Sequence, residues 1–130
     1  MARPASKFPT ELELQILKVL WGHESSLLAR DVQAALASDG RELAKTSIIT
    51  TLNTMVAKQY LSRTKQGNMY LFSPRISESE VGDRVMGDVV DRVFDGSTSA
   101  VLLKLCDVKD LDADELKELR RIIDRKLKNT

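Results

Sequence analysis

Residues Ala44 to Leu61 read AKTSIITTLNTMVAKQYL. On a helical wheel of about 100° per residue, Ile48, Ile49, Leu52, Met55 and Val56 gather in one sector, which assigns that sector to a core. The remainder is Thr46, Ser47, Thr50, Thr51, Asn53, Thr54 and Lys58. This is an unfavourable surface for a helix. A β-branched threonine loses rotamer freedom there, and its hydroxyl competes for backbone hydrogen bonds. Over five such residues the penalty sums to about 2–3 kcal/mol. The face has no bulk and no negative charge, and it bears donors and acceptors on short stems. It suits a helix over about 46–59 that lies close to a polar, anionic surface, and the major groove of DNA admits one helix. Hydroxyls can bond phosphates or base edges, a threonine methyl can meet a thymine methyl, and asparagine can pair with adenine. A solvated face of poor propensity is the plainer alternative.

The flanking sequence favours the first reading. Upstream, Thr10-Glu11-Leu12-Glu13 is a capping box, and Leu14, Leu17, Leu20 and Trp21 follow at helical spacing up to Gly22. His23 then sits at a helix C-terminus, where the dipole favours it. A second helix spans about 29–37 with Val32, Ala35 and Leu36 on one side, and Ser38-Asp39-Gly40 reads as a loop. Downstream, residues 60–64 and 69–73 read as two strands joined by Lys65-Gln66-Gly67-Asn68, with Gly67 supplying positive φ. Three helices and a hairpin make the winged helix-turn-helix order, in which the third helix reads DNA. Arg63, Lys65, Gln66 and Asn68 then lie on or beside the hairpin tip, within reach of phosphates or a minor groove. Lys45 and Lys58 frame the hydroxyl face.

Beyond Pro74 the pattern is helical. Ser77-Glu78-Ser79-Glu80 is a second capping box, and Val81, Val85, Val89, Val93 and Phe94 line one side before Gly96. Ser97 to Cys106 holds a short apolar helix. Asp112 caps a last helix, with Leu111 placed to staple to Leu116; its stripe is Leu116, Leu119, Ile123 and Leu127. The expected class is mainly α with a small β-hairpin wing. The expected division is a winged-helix DNA-binding domain over 1–75 and a helical dimerisation domain over 76–130. The candidate dimer interface is Val85, Val89, Val93, Phe94, Leu116, Leu119, Ile123 and Leu127; packing of these stripes on the front domain is the alternative. Two copies would read a two-fold-related operator and gain affinity through linkage.

Charge follows the same division. Residues 1–75 carry 10 Lys+Arg against 6 Asp+Glu, and residues 76–130 carry 10 against 13. A basic front half can meet a polyanion, and an acidic back half cannot. No apolar run approaches the roughly 20 residues of a membrane helix. MARPASKFP lacks the apolar stretch of a secretory signal and reads as a short disordered arm, so a cytoplasmic protein is expected. One His and one Cys cannot make a typical transition-metal site. Cys106 is expected to be a small buried hydrophobe. There is no nucleophile paired with a base, no metal-ligand cluster and no phosphate loop, so no catalytic residue, metal or cofactor is expected.

The sequence resembles the BlaI/MecI family of bacterial winged-helix repressors, the penicillinase repressor family, from about Phe8 to Lys128. The resemblance is carried by TELELQILKVLW (10–21), SIITTLNTMVAKQYL (47–61), GNMYLFSP (67–74) and DADELKELRRIID (112–124). It implies a C-terminal dimerisation domain, a palindromic operator, and a membrane sensor metalloprotease as a partner that triggers cleavage. The familiar Asn-Phe cleavage bond is missing from VLLKLCDV (101–108); Leu103 and Lys104 mark the candidate cleavage region instead. Clustered C-terminal cysteines, which mark a copper-responsive branch, are also missing. Family members commonly have Arg-Leu at Thr54-Met55, so the operator sequence or the affinity is expected to differ. They have Lys-Gly at Lys58-Gln59, so the turn into the wing is expected to be built differently. The leading expectation is a sequence-specific repressor acting as a homodimer on double-stranded operator DNA. The alternative is a winged-helix protein-interaction module without sequence-specific readout, which would have no need of lysines and arginines around a hydroxyl face.

Overall fold

Thr10 starts the first helix as the spacing predicts: its Oγ1 accepts from the Glu13 amide at 3.2 Å, and Glu13 Oε1 accepts from the Thr10 amide at 2.8 Å. The computed structural model describes residues 8–130, so the basic arm expected at the N-terminus lies largely outside the described residues. Helix α1 is Glu11–Trp21, strand β1 is Leu27–Leu28, α2 is Ala29–Ser38 and α3 is Lys45–Ala57. Strands β2 (Leu61–Gln66) and β3 (Met69–Pro74) form the hairpin. Gln66 pairs with Met69, leaving Gly67-Asn68 as a two-residue turn with Gly67 at φ 63°, the first-position glycine of a type II′ connection. The turn is two residues shorter than expected, because Lys65 and Gln66 continue the ladder. Strand β1, which the sequence reading missed, adds to the other side of β3 and gives the order β1-β3-β2, all antiparallel. Two leucines carry no period, so β1 has no local signal.

Helices α2 and α3 end in the same way. After α2, the Arg41 amide reaches back to Leu36 O at 2.9 Å and the Gly40 amide to Ala37 O at 3.0 Å, with Gly40 at φ 88°. After α3, the Tyr60 amide reaches Met55 O at 2.9 Å and the Gln59 amide Val56 O at 3.0 Å, with Gln59 at φ 69°. Both are Schellman closures. The expectation that Gln59 forces a different turn is therefore corrected: Gln59 adopts the left-handed conformation despite its Cβ. The tertiary need to carry the chain from α3 into β2 outweighs the local steric cost.

The molecule divides into two compact units, one ending at Met86 and one spanning Gly87–Thr130. The core of the first contains Ile16, Leu17 and Leu20 of α1, Val32 and Leu36 of α2, and Ile48, Leu52 and Met55 of α3. Tyr60, Leu61 and Phe72 close it from the wing, and Ile76 and Val81 extend it. Burying each large apolar side chain contributes about 1.5–3 kcal/mol. Trp21 Nε1 donates to Ile76 O at 2.9 Å, tying the end of α1 to the segment after the wing. Helix α4 (Glu78–Asp88) opens on the Ser77–Glu80 capping box. Val85 is half-buried and packs against the first unit's core, so within the monomer it is already partly covered.

In the second unit, a π-helical stretch covers Val89–Val93, and Asp95 and Gly96 both take positive φ where it ends. A π turn holds more residues per turn than an α turn, so the helical phase shifts across this stretch, and Val93 is exposed where Val89 is half-buried. Helix α5 (Thr98–Val108) is capped by Ser97, and α6 (Ala113–Lys128) by Asp112, whose Oδ1 accepts from the Glu115 amide at 2.8 Å. Val93, Leu116, Leu119, Ile123 and Leu127 are exposed, and Val89 and Phe94 are half-buried. Cys106 is exposed, which corrects the expectation of a buried thiol: α5 buries its Val101 face and turns Cys106 away from it.

Candidate nucleic-acid interface

Core packing decides which side of α3 faces out. Ile48, Leu52 and Met55 are fully buried, so Lys45, Thr46, Ser47, Thr50, Asn53 and Thr54 are exposed together, and Thr51 is half-buried beside them. Ile49 departs from expectation. It lies about 90° from the mean direction of the three buried residues on a 100° wheel, and it is 38% exposed. It lines an open cleft of about 300 Å³ with Leu28, Lys45, Asn53, Asn68 and Tyr70, among others.

The hydroxyls divide into two sets. Thr51 Oγ1 donates to Ser47 O at 2.9 Å and Thr54 Oγ1 to Thr50 O at 3.0 Å. This back-bonding satisfies the proton inside the helix and leaves the oxygen to accept only. Thr46, Ser47 and Thr50 make no such bond among those described, so the N-terminal half of the face can donate. Ala44 supplies no side-chain cap to α3, and its first turn has no acidic residue. The first amides and the positive end of the dipole thus remain open to an anion.

Lys58 does not belong to this face. Its Nζ contacts both Glu13 oxygens, at 3.1 and 2.9 Å, and Glu13 is only 3% exposed. Lys58, expected to contact DNA, here neutralises a carboxylate that the α1 capping box has already drawn inside. The sequence signal for Glu13 was its capping-box position; its 45-residue link to Lys58 has none. The same ammonium lies 5.9 Å from the Tyr60 ring centroid. Burial, and then the Glu13 charge, raise the Tyr60 phenol above its ordinary value, while Lys58 and Arg84 pull it down. His23 lies where expected, with Nδ1 2.7 Å from Val19 O at the end of α1.

The wing brings its polar residues to the neighbourhood of α3. Arg63 Nη1 donates to Asn53 Oδ1 at 2.7 Å, and the guanidinium carbon sits 4.6 Å from the Tyr70 ring centroid. Lys65, Gln66 and Asn68 are exposed at the hairpin tip. Leu103 and Lys104 are exposed within α5, in the second unit. Among the described residues, no group of three or more His, Cys, Asp or Glu is placed to hold a metal ion, and no helix is long and apolar enough to cross a membrane.

Three helices, a two-stranded wing and a short polar face on the third helix define a winged helix-turn-helix protein. The penicillinase repressor family model matches residues 9–125, and the chain belongs to that family, BlaI/MecI, whose members are transcriptional repressors and not enzymes. The penicillinase repressor of Bacillus licheniformis is 27% identical over 115 residues, covering 88% of each chain. The transcriptional regulator BlaI of Mycobacterium tuberculosis is 27% identical over 114 residues, covering 87% of this chain and 80% of that one. The solution structure of the DNA binding domain of the repressor BlaI shares 30% identity, covers 55% of this chain and 85% of that chain, and gives a TM-score of 0.49.

Proposed function

We propose that this chain is a sequence-specific DNA-binding repressor that acts in the cytoplasm as a homodimer on a palindromic operator, with α3 in the major groove. The observation that carries this reading is the outward side of α3. Thr46, Ser47, Thr50, Asn53 and Thr54 are exposed together beside Lys45, without an acidic side chain among them. A solvated helix face gains nothing from such residues, whereas short stems let a helix backbone approach base edges and phosphates. The uncapped start of α3 adds amides that favour a phosphate. Arg63, Lys65, Gln66 and Asn68 on the wing extend the polar surface toward the flanking backbone. A protein-interaction module would have no use for this charge pattern.

Homodimerisation is supported by the exposed apolar residues of the second unit, Val93 and the α6 stripe Leu116, Leu119, Ile123 and Leu127. An amphipathic helix with its apolar face open to water is stable only when something covers it. A second copy presents the same face and so completes a two-fold interface. For release by a membrane sensor metalloprotease at Leu103-Lys104, α5 would have to unwind: both residues are exposed, but the bond lies inside that helix and would become extended only by local unfolding.

Footprinting on the DNA around its own gene tests the reading. The expected result is a protected two-fold site whose occupancy falls steeply with salt. Thr50→Glu, which sets a carboxylate against the phosphates, should abolish protection, and Lys65→Glu should weaken it less. Protection that survives both substitutions would show that α3 is not the reader.

A further inference from the structure

Building on the proposed DNA-binding role, we infer that Arg63 and Asn53 act as one reading unit, in which Arg63 occupies the asparagine oxygen and turns the pair into a guanine reader rather than an adenine reader. A guanidinium only donates, so the Asn53 atom facing Arg63 Nη1 at 2.7 Å is the carbonyl oxygen. The asparagine NH₂ group is left pointing away from the arginine. Asparagine reads adenine by a bidentate pair, its oxygen accepting from N6 while its nitrogen donates to N7. Here one of the oxygen's two lone pairs is taken by a cation. With the free amide hydrogens and the remaining guanidinium hydrogens beside it, the pair presents a donor-rich surface.

Guanine places two acceptors, O6 and N7, side by side in the major groove, whereas adenine sets a donor beside its N7. A donor-rich pair therefore matches guanine better than adenine, whose amino group adds one more donor. Arg63 is held for this role from two directions. It bonds Asn53 on α3, and it stacks on Tyr70 of β3 at 4.6 Å, a cation–π contact that fixes the guanidinium plane. Specificity at this position thus depends on a wing residue acting through a helix residue ten positions earlier in the chain.

The test is selection from a random duplex pool by the full-length chain, followed by sequencing. Asn53→Ala identifies the contacted position as the one whose preference disappears. At that position the unsubstituted chain should prefer guanine over adenine by about five-fold or more, the lower range of one good bidentate contact. Arg63→Ala frees the asparagine oxygen and should invert the ratio toward adenine, whatever the loss in overall affinity. Tyr70→Ala should shift it part of the way. Adenine preference in the unsubstituted chain, an Arg63→Ala ratio within two-fold of the original, or an Asn53→Ala change that moves no position would each overturn the inference. Enrichment of no sequence at all by the unsubstituted chain would overturn the repressor reading itself, and this inference with it.

Discussion

In the unit ending at Met86, Ile16, Leu17, Ile48, Leu52 and Met55 are enclosed by three helices and a wing. In Gly87–Thr130, Val101 alone among the described residues is buried, while Leu103 is 69% and Leu127 66% exposed. The two regions carry similar proportions of apolar residues, yet only one encloses them. A three-helix unit with a sheet has a concave side into which every stripe can point. Two helices and a π turn have too little surface to surround a core. The first unit therefore has an internal source of stability, and the second has apolar surface that a partner would have to cover.

The largest expected effect separates the units directly. Leu52→Ala should cost about 4 kcal/mol, read by denaturant titration of Trp21 fluorescence, which reports on the first unit. Leu127→Ala should leave that transition within about 0.5 kcal/mol, as exposed substitutions do. Equal losses would break the contrast. Next is the Glu13–Lys58 pair inside the first unit. Lys58→Ala strands a buried carboxylate and should cost about 3 kcal/mol. The double variant Glu13→Gln/Lys58→Met should recover most of that loss in the same titration, since no uncompensated charge remains.

In the second unit the effect should fall on association instead. Ile123→Asp should leave the Trp21 transition in place but shift the sedimentation coefficient to that of a monomer, and should weaken operator binding about 100-fold through lost linkage. A dimer that persists would remove the case for α6 as the interface. The smallest effect is expected at the α3 closure. Gln59→Gly should raise stability by about 0.5 kcal/mol, because glycine takes positive φ without the Cβ penalty but loses more freedom on folding. The hydrogen bond from Arg75 to Gln59 Oε1 is lost in that variant, which limits the gain.

Much of this architecture follows from signals within a few residues of each other. The capping boxes at Thr10–Glu13 and Ser77–Glu80, the Asp112 cap and the Gly67 turn all form where the spacing places them. Each joins groups three or four positions apart, so the chain specifies them locally. The same holds for the α3 residues Ile48, Leu52 and Met55, whose period alone makes them core. Arrangements that depend on distant neighbours were not legible. Ile49 has a core-like letter at the margin of the buried sector, and only the placement of β3 leaves it lining a cleft.

What the sequence alone determined is therefore the order of elements, their ends, and the presence of a short, hydroxyl-rich face on the third helix. What the tertiary structure decided is which side chains of that neighbourhood are free to act. It withdraws Lys58 to Glu13 across 45 positions, binds Arg63 to Asn53, and donates the Thr51 and Thr54 protons back into the helix. Periodicity assigns a residue to a face, but a charged or amide group takes the nearest complementary partner in space, and only the folded chain brings those partners together.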